Sequence, residues 1–412
     1  MGILWKLAWR NLWRHPRRTV LTASAVALGL GLVLVFLGLQ DGQHAQMIES
    51  AVRMGSGHVL LQAPGYQRRR GVEMLVAAPV VARAEAWAAS RRGVQAVLTR
   101  AFASGLLSSA DGATGVSLVG VEPTAEASVS RLATRVASGR FLAPADRGTA
   151  VIGDGVARLL DARPGTRVVA MAQGVRGGEI RSALFHVVGV VHTGLDELDE
   201  SLVLAPLAAV RSFLELGGGA HQVALVLADQ SRAGAVAADA ARAFPELEAL
   251  TWAQADPQLQ AFITIDDGGA YLFDAIFFVL IAFMLLNTLL MSVLERRREV
   301  ALLGALGLSP GRRLLMVLLE AGMLAALASA AGLGLGLLGH AYFRLHGLPL
   351  AWFTSQSIEA AGVILDPVMY SVLGPSRIAG SVALVVALTL GLSLLAARQA
   401  AKPVDPNLLK SR

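Results

Sequence analysis

Residues 19–39 read TVLTASAVALGLGLVLVFLGL, an unbroken run of 21 residues without a charge. A helix needs about 20 mostly apolar residues to cross the hydrocarbon core of a bilayer, so this run is long enough to span. Three more such runs lie in the last third of the chain: 271–294 with one acid, Asp274, 314–342 with one acid, Glu320, and 378–397 with none. Residues 40–270, between the first run and the second, have the mixed composition of a folded globular domain. The expected fold is an α-helical membrane protein with four transmembrane helices (1+3) and a large mixed α/β domain inserted between helices 1 and 2. A cleaved signal peptide is the alternative for residues 19–39. That run exceeds the ~7–15 apolar residues of a signal peptide and ends without a small-x-small pattern, so an uncleaved span is expected.

Composition agrees with a membrane class: 54% of residues are hydrophobic and 16% charged. The cations are unevenly placed. Lys6, Arg10, Arg14, Arg17 and Arg18 precede the first run. Arg296, Arg297, Arg298, Arg312 and Arg313 stand between the second and third, and Arg398, Lys402, Lys410 and Arg412 follow the fourth. Only Arg344 and Arg377 lie between the third and fourth. Cytoplasmic loops carry the Lys and Arg excess, so both termini and the 295–313 connection are expected inside and the 40–270 domain outside. The net charge of +6 then reflects topology, and no aromatic-basic nucleic-acid motif accompanies it. The chain has no cysteine, which excludes disulfides, thiolate metal sites and cysteine catalysis.

The remaining segments follow from these landmarks. Residues 1–18 read as an interfacial helix on the cytoplasmic side, with Trp5, Trp9 and Trp13 in one stripe and Lys6, Arg10 and Arg14 in another. Within 40–270, β-branched runs at 58–62, 116–121, 149–152, 167–172, 185–191 and 223–227 predict strands. Helices are predicted at 43–54, 76–90, 155–160, 206–216 and 232–244, with two subdomains. Residues 343–377 form an outer connection rich in Pro and aromatics, and residues 398–412 a cytoplasmic tail.

Enzyme chemistry is hard to place. A Walker A loop needs a Gly-rich turn followed by Lys, and the three lysines, Lys6, Lys402 and Lys410, follow none. The eight histidines are scattered without H-x-x-x-H spacing, so no metal site is expected. Asp196, Glu197, Asp199 and Glu200 read as a solvated loop rather than a Ca²⁺ site. No G-x-S-x-G elbow occurs. Polar groups inside spans mark function or helix contacts. Asn287 is expected to hydrogen-bond to another helix, and Glu320, about 9 Å into its span, to pair near the cytoplasmic face. Gly332 and Gly336 give the third span a smooth face for close helix packing.

The sharpest signal is the connection ERRREVALLGALG, residues 295–307. It is charged at its start and apolar beyond, with Val300, Leu303 and Leu306/Gly307 on one helical face. Such a helix lies on lipid or in a groove of a partner protein. Here the sequence resembles the FtsX-like, MacB-type permeases of ABC transporters. The family pattern Glu-Arg-x-x-Glu followed by Ala-Leu-Gly appears as Glu295, Arg296, Glu299 and residues 305–307, with Leu318-Leu319-Glu320 beyond it. Residues 7–19, 152–165 and 400–406 resemble the family's N-terminal segment, external-domain signature and tail. Ala301 departs from the pattern, since many members carry Gly there.

The resemblance implies a non-catalytic permease of the bacterial inner membrane. Its cytoplasmic coupling helix, with Glu295, Arg296, Glu299, Val300, Leu303, Gly304, Leu306 and Gly307, would dock a separate ABC ATPase. ATP and Mg²⁺ would bind that ATPase, and this chain would bind no cofactor. A second permease chain, identical or a sister subunit, would complete the transporter. Asp41-Gly42, Gly57-His58-Val59 and Gly65-Tyr66 resemble the lipoprotein-releasing LolC/LolE branch most closely. That branch implies a lipoprotein substrate and a periplasmic carrier. MacB-like efflux of peptides or toxins, and FtsX-like signalling to a cell-wall hydrolase, are the alternatives.

Overall fold

The computed structural model of the chain describes residues 2–175, 178–295, 309–350, 359–360, 363–364 and 367–400. The chain divides into two compact units. A helical unit holds residues 1–45, 264–355 and 366–412, and an α/β unit holds residues 46–263 and 356–365. The described helices of six or more residues are α1 (Gly2–Leu12), α2 (Pro16–Ala51), α3 (Ala78–Ala89), α4 (Pro123–Val129), α5 (Asp154–Leu159), α6 (Leu207–Leu214), α7 (Ala233–Ala243), α8 (Pro257–Glu295), α9 (Pro310–His346) and α10 (Pro375–Ala400).

Four helices are long and apolar enough to cross a membrane, over Pro16–Ser56, Pro257–Thr288, Gly311–His346 and Pro375–Leu395. The four apolar runs lie within α2, α8, α9 and α10. Two helices overrun their runs. The helix predicted at 43–54 is instead the continuation of α2, because nothing between Gln40 and Ala51 stops a helix. The first break comes in the π-helical turn Val52–Ser56, where Gly55 adopts φ 145°. Likewise α8 begins at Pro257, well before Tyr271.

The core of the helical unit gathers Leu30, Val33 and Leu34 of α2 with Ile281 and Leu285 of α8, Met323 and Leu324 of α9, and Val385 of α10. The helices are apolar on their outer faces too: Leu21, Phe283 and Leu338 are 73%, 68% and 70% exposed. A helix that is hydrophobic all round is stable only in lipid or against further protein.

The α/β unit is organised by a ten-stranded sheet. Its strands are β1 (Val59–Gln62), β2 (Val94–Ser108), β3 (Ala113–Val121), β4 (Val136–Gly139), β5 (Thr149–Gly153), β6 (Arg167–Gln173), β7 (Ile180–Val191), β8 (Leu202–Pro206), β9 (Gln222–Leu227) and β10 (Glu248–Thr251). The pairings β2–β3, β3–β8, β8–β5, β5–β7, β7–β6 and β6–β2 close a ring of six strands. The other arm runs β10–β1–β9–β2. Strand β2 belongs to both: residues from Val94 to Arg100 pair with β9, and those from Gly105 to Ser108 pair with β6. The six strands predicted from sequence are present, while β2, β4, β8 and β10 had no counterpart in the sequence reading.

Alternation sends neighbouring side chains to different cores. Ala150 and Ile152 of β5 join Val203 and Ala205 of β8 under α5 and α6. Val151, Leu202 and Leu204 face the opposite side with Leu132 and Leu142. A third core packs α3 and α7 on β1 and β9, through Ala84, Ala88, Ala237 and Ala240 against Leu61, Val223 and Leu225.

One buried histidine ties two loops of this unit to the sheet. His221 is fully buried; its Nδ1 accepts from the Phe102 N–H at 2.9 Å and its Nε2 donates to the Val72 carbonyl at 3.0 Å. Burial holds its pKa below the ordinary 6.5, and burial acts the same way on His58, whose Nδ1 accepts from the Leu227 N–H. Well above pH 6.5 both rings are neutral in the folded and unfolded states and contribute no pH dependence. Below it the unfolded chain takes up protons that the folded sites resist, so stability falls with falling pH until the folded pKa is reached. The slope is at most about 1.4 kcal/mol per pH unit for each ring. Melting of the full chain at pH 7.5 and 5.5 should show this loss, and His221→Gln should reduce it to the part that His58 contributes.

Candidate functional site

Most of the coupling segment expected at 295–313 lies outside the described residues. Glu295 closes α8, whereas Arg296, Glu299, Val300, Leu303, Gly304, Leu306 and Gly307 fall in the undescribed stretch. What is described is the helical frame on which that segment is mounted.

At one end of this frame α1 lies against the bundle through Ala8 and Leu12, both buried. Its Trp5 and Trp9, with Trp13 just beyond it, remain half exposed, free to occupy a membrane interface. The Thr19 hydroxyl donates to the Leu12 carbonyl at 2.5 Å and fixes the elbow between α1 and α2. Across to α8, the Arg18 guanidinium donates to the Thr288 carbonyl, and the Thr22 hydroxyl donates to the Thr288 hydroxyl at 3.3 Å. Asn287, expected to make such a cross-helix bond, is exposed on α8. Its neighbour Thr288 carries the contact instead, one position round the helix. Glu320 is partly buried on α9.

The middle of the frame is a close approach of α2 and α9. A Cβ placed on Gly332 would meet the Ala27 carbonyl oxygen at 2.9 Å, and one on Gly336 would meet the Leu34 side chain at 2.7 Å. From the other helix, a Cβ on Gly31 would lie 3.1 Å from that of Leu335. Small residues on both sides let the backbones touch, as in membrane helix pairs generally.

The far end carries a polar collar that sequence reading missed. His44 of α2 sits with Nε2 2.7 Å from Asp266 Oδ2 and Nδ1 3.8 Å from Asp267 Oδ1, both on α8. Arg377, in the first turn of α10, places its guanidinium 3.0 Å from Asp41 Oδ1 on α2 and 3.7 Å from Asp267 Oδ1. The same guanidinium stands 5.8 Å from the Tyr271 ring centre. Three helices meet at these polar groups. His44 is nearly buried, but Asp266, Asp267, Arg377 and Asp41 keep 41, 34, 27 and 23% of their side-chain surface. Pairs this exposed are worth about 0.2–1 kcal/mol each, so the collar is weak and screened by salt. Beside it the segment after α9 returns to α2: the Val372 N–H donates to the Gly38 carbonyl at 2.8 Å, and His340 Nδ1 lies 2.8 Å from the Ser371 hydroxyl. Among the described residues no cluster of His, Cys, Asp or Glu has the arrangement of a metal site.

A family model described as an FtsX-like permease C-terminal matches residues 271–403, and one described as a MacB-like periplasmic core domain matches residues 19–243. The lipoprotein-releasing system transmembrane protein LolC of Neisseria meningitidis serogroup B is 26% identical over 320 residues, covering 74% of this chain and 75% of that protein. The periplasmic region of MacB from Actinobacillus actinomycetemcomitans superposes with a TM-score of 0.38 at 16% identity, covering 52% of this chain and 98% of that one. The extracellular domain of the noncanonic ABC-type transporter YknZ from Gram-positive bacteria gives 0.33 at 19% identity, covering 45% and 90%.

Proposed function

The chain belongs to the FtsX-like ABC transporter permeases with a MacB-like periplasmic core, and from that premise we propose that it is the non-catalytic subunit of a transporter that releases lipoproteins from the bacterial inner membrane. The periplasmic-core model alone matches residues 19–243, more than half of the chain. The observation that carries the lipoprotein reading is the 26% identity to a lipoprotein-releasing subunit, sustained over 74% of this chain.

In this reading both termini and residues 295–313 face the cytoplasm and the domain within 40–270 is periplasmic. A separate ATPase, holding ATP and Mg²⁺, docks the amphipathic face of Val300, Leu303 and Leu306, with Glu299 beside it. A second permease chain completes the transporter. The work to be done is large: each CH₂ withdrawn from lipid costs about 0.8 kcal/mol, so a multiply acylated anchor needs both nucleotide-driven motion and an apolar shelter on the way. The outward apolar faces of α2 and α8 are surfaces of the required character.

The test is co-purification with an ATPase, followed by crosslinking to an acylated substrate and transfer to a periplasmic carrier. Glu299→Lys and Leu303→Asp are each expected to cut ATPase retention severalfold while the chain still inserts in the membrane. ATPase docking that survives both substitutions excludes the coupling assignment.

A further inference from the structure

The polar collar and the glycine pair next to it have a joint consequence. Asp266 and Asp267 are followed directly by Gly268 and Gly269 inside α8. A Cβ on either glycine would meet nothing within 4 Å. Neither carries a positive φ. Among the described residues these two glycines therefore serve neither close packing nor a left-handed turn, in contrast to Gly332 and Gly336, whose missing Cβ atoms make room for α2. Two adjacent glycines in a helix interior weaken it through backbone freedom, and such pairs are where long helices bend. The weak point falls one residue beyond the acids that bind α8 to His44 of α2 and, through Arg377, to α10.

Both α2 and α8 continue from the helical unit into the α/β unit, whose main segment starts at residue 46 and ends at residue 263. The collar lies on the helical side of both crossings, at residues 41–44 and 266–267. We infer that the collar is a reversible latch on a hinge: the pairs His44–Asp266 and Arg377–Asp41/Asp267 splint α8 against α2 and α10, and their release lets α8 bend at Gly268-Gly269. The composition of the collar suits that role, because Asp266, Asp267, Arg377 and Asp41 all remain partly exposed. The device gives the transporter reading above a defined moving joint, and it rests on that reading only for its purpose.

The absence of cysteine makes thiol chemistry a clean probe. In the full-length chain, His44→Cys with Asp266→Cys replaces one pair by a reporter, and a short reducible bis-methanethiosulfonate links the two thiols in membranes. The Arg377 half of the latch is then read by that link. Crosslink yield should fall severalfold with Arg377→Gln, and also when ionic strength rises from about 0.05 to about 1 M, where the Debye length shrinks to ~3 Å. Adding Gly268→Ala and Gly269→Ala to the Arg377→Gln chain should restore the yield, since a stiff α8 holds residue 266 in place without the latch. In the purified complex with its ATPase, the linked chain should lose at least tenfold in substrate release and recover with reductant.

A yield indifferent to Arg377→Gln and to salt overturns the latch, as does normal release by the linked chain. A double-alanine chain that loses association with a second permease copy, with its yield unrestored, overturns the hinge. If no ATPase accompanies any variant, the transporter reading fails, while the yields measured in membranes still decide the latch.

Discussion

Replacing Glu126 by alanine is expected to destabilise the α/β unit by about 3–5 kcal/mol, because it strands a buried cation. The Arg100 guanidinium donates to Glu126 Oε1 at 2.7 Å and to Oε2 at 3.0 and 3.1 Å. The side chains are 3% and 2% exposed, so water cannot take over from the missing carboxylate. A loss of that size is a third or more of what holds many domains folded. The consequence extends beyond one pair. Arg100 is the last residue of β2 to pair with β9 and the first to pair with β3, so it sits where the two arms of the sheet join. Its guanidinium also donates to the carbonyl of Gly55 in the π-helical turn that ends α2. Denaturation and limited proteolysis of the full chain measure the effect. Glu126→Gln, which keeps an acceptor and loses the charge, should fall in between. Arg100→Met with Glu126→Leu should recover most of the loss, since an apolar pair of similar volume removes the desolvation problem. A cost under about 1 kcal/mol for Glu126→Ala, the value of an exposed pair, would show that water reaches the site.

The contrast between what sequence reveals and what it hides is physical. The four long helices were legible because twenty uncharged residues in a row leave few soluble alternatives. The four-residue spacing of Gly332 and Gly336 places both on one side of a helix, but nothing in the sequence says which helix that side meets. Strand β2 was not legible, although it is the longest in the sheet. Around Phe102 its centre, Ala101, Ala103, Ser104 and Gly105, is small and unbranched, and its extended form is imposed by β9, β3 and β6 rather than by local preference. Strand β8 is buried on both faces and so lacks alternation. The collar was hidden for another reason. Asp41 and His44 lie more than 220 residues before Asp266 and more than 330 before Arg377, and each reads alone as a solvated charge at a helix end. Only the packing of α2, α8 and α10 makes them one group. The continuation of α2 through Ala51 is hidden as well, because the loss of apolar character at Gln40 ends the membrane-spanning signal without ending the helix.

Gly42→Ala separates two rules that predict opposite signs. Alanine is the better helix former by about 1 kcal/mol, so propensity alone predicts that α2 gains stability. The structure predicts a loss. A Cβ at Gly42 would drive into the carbonyl oxygen of Tyr370, and would lie 2.9 Å from its carbonyl carbon and 3.2 Å from the Val372 nitrogen. These are backbone atoms, so no change of rotamer relieves the overlap and α2 must move away from the segment that follows α9. That motion breaks the bond from the Val372 N–H to the Gly38 carbonyl, worth about 1 kcal/mol. It also pulls on Asp41, the adjacent residue, which holds Arg377. Overpacking of this kind costs about 1–3 kcal/mol and occasionally more, and an immovable backbone puts Gly42 at the upper end. The melting temperature of the full chain should therefore fall by several degrees, and the His44→Cys/Asp266→Cys crosslink should weaken. Gly334→Ala and Gly391→Ala supply the control. At both, a Cβ would meet nothing within 4 Å, and the propensity rule should win, leaving stability unchanged or raised by up to about 1 kcal/mol. If all three substitutions shift melting alike, close approach of α2 to Tyr370 is not what Gly42 provides.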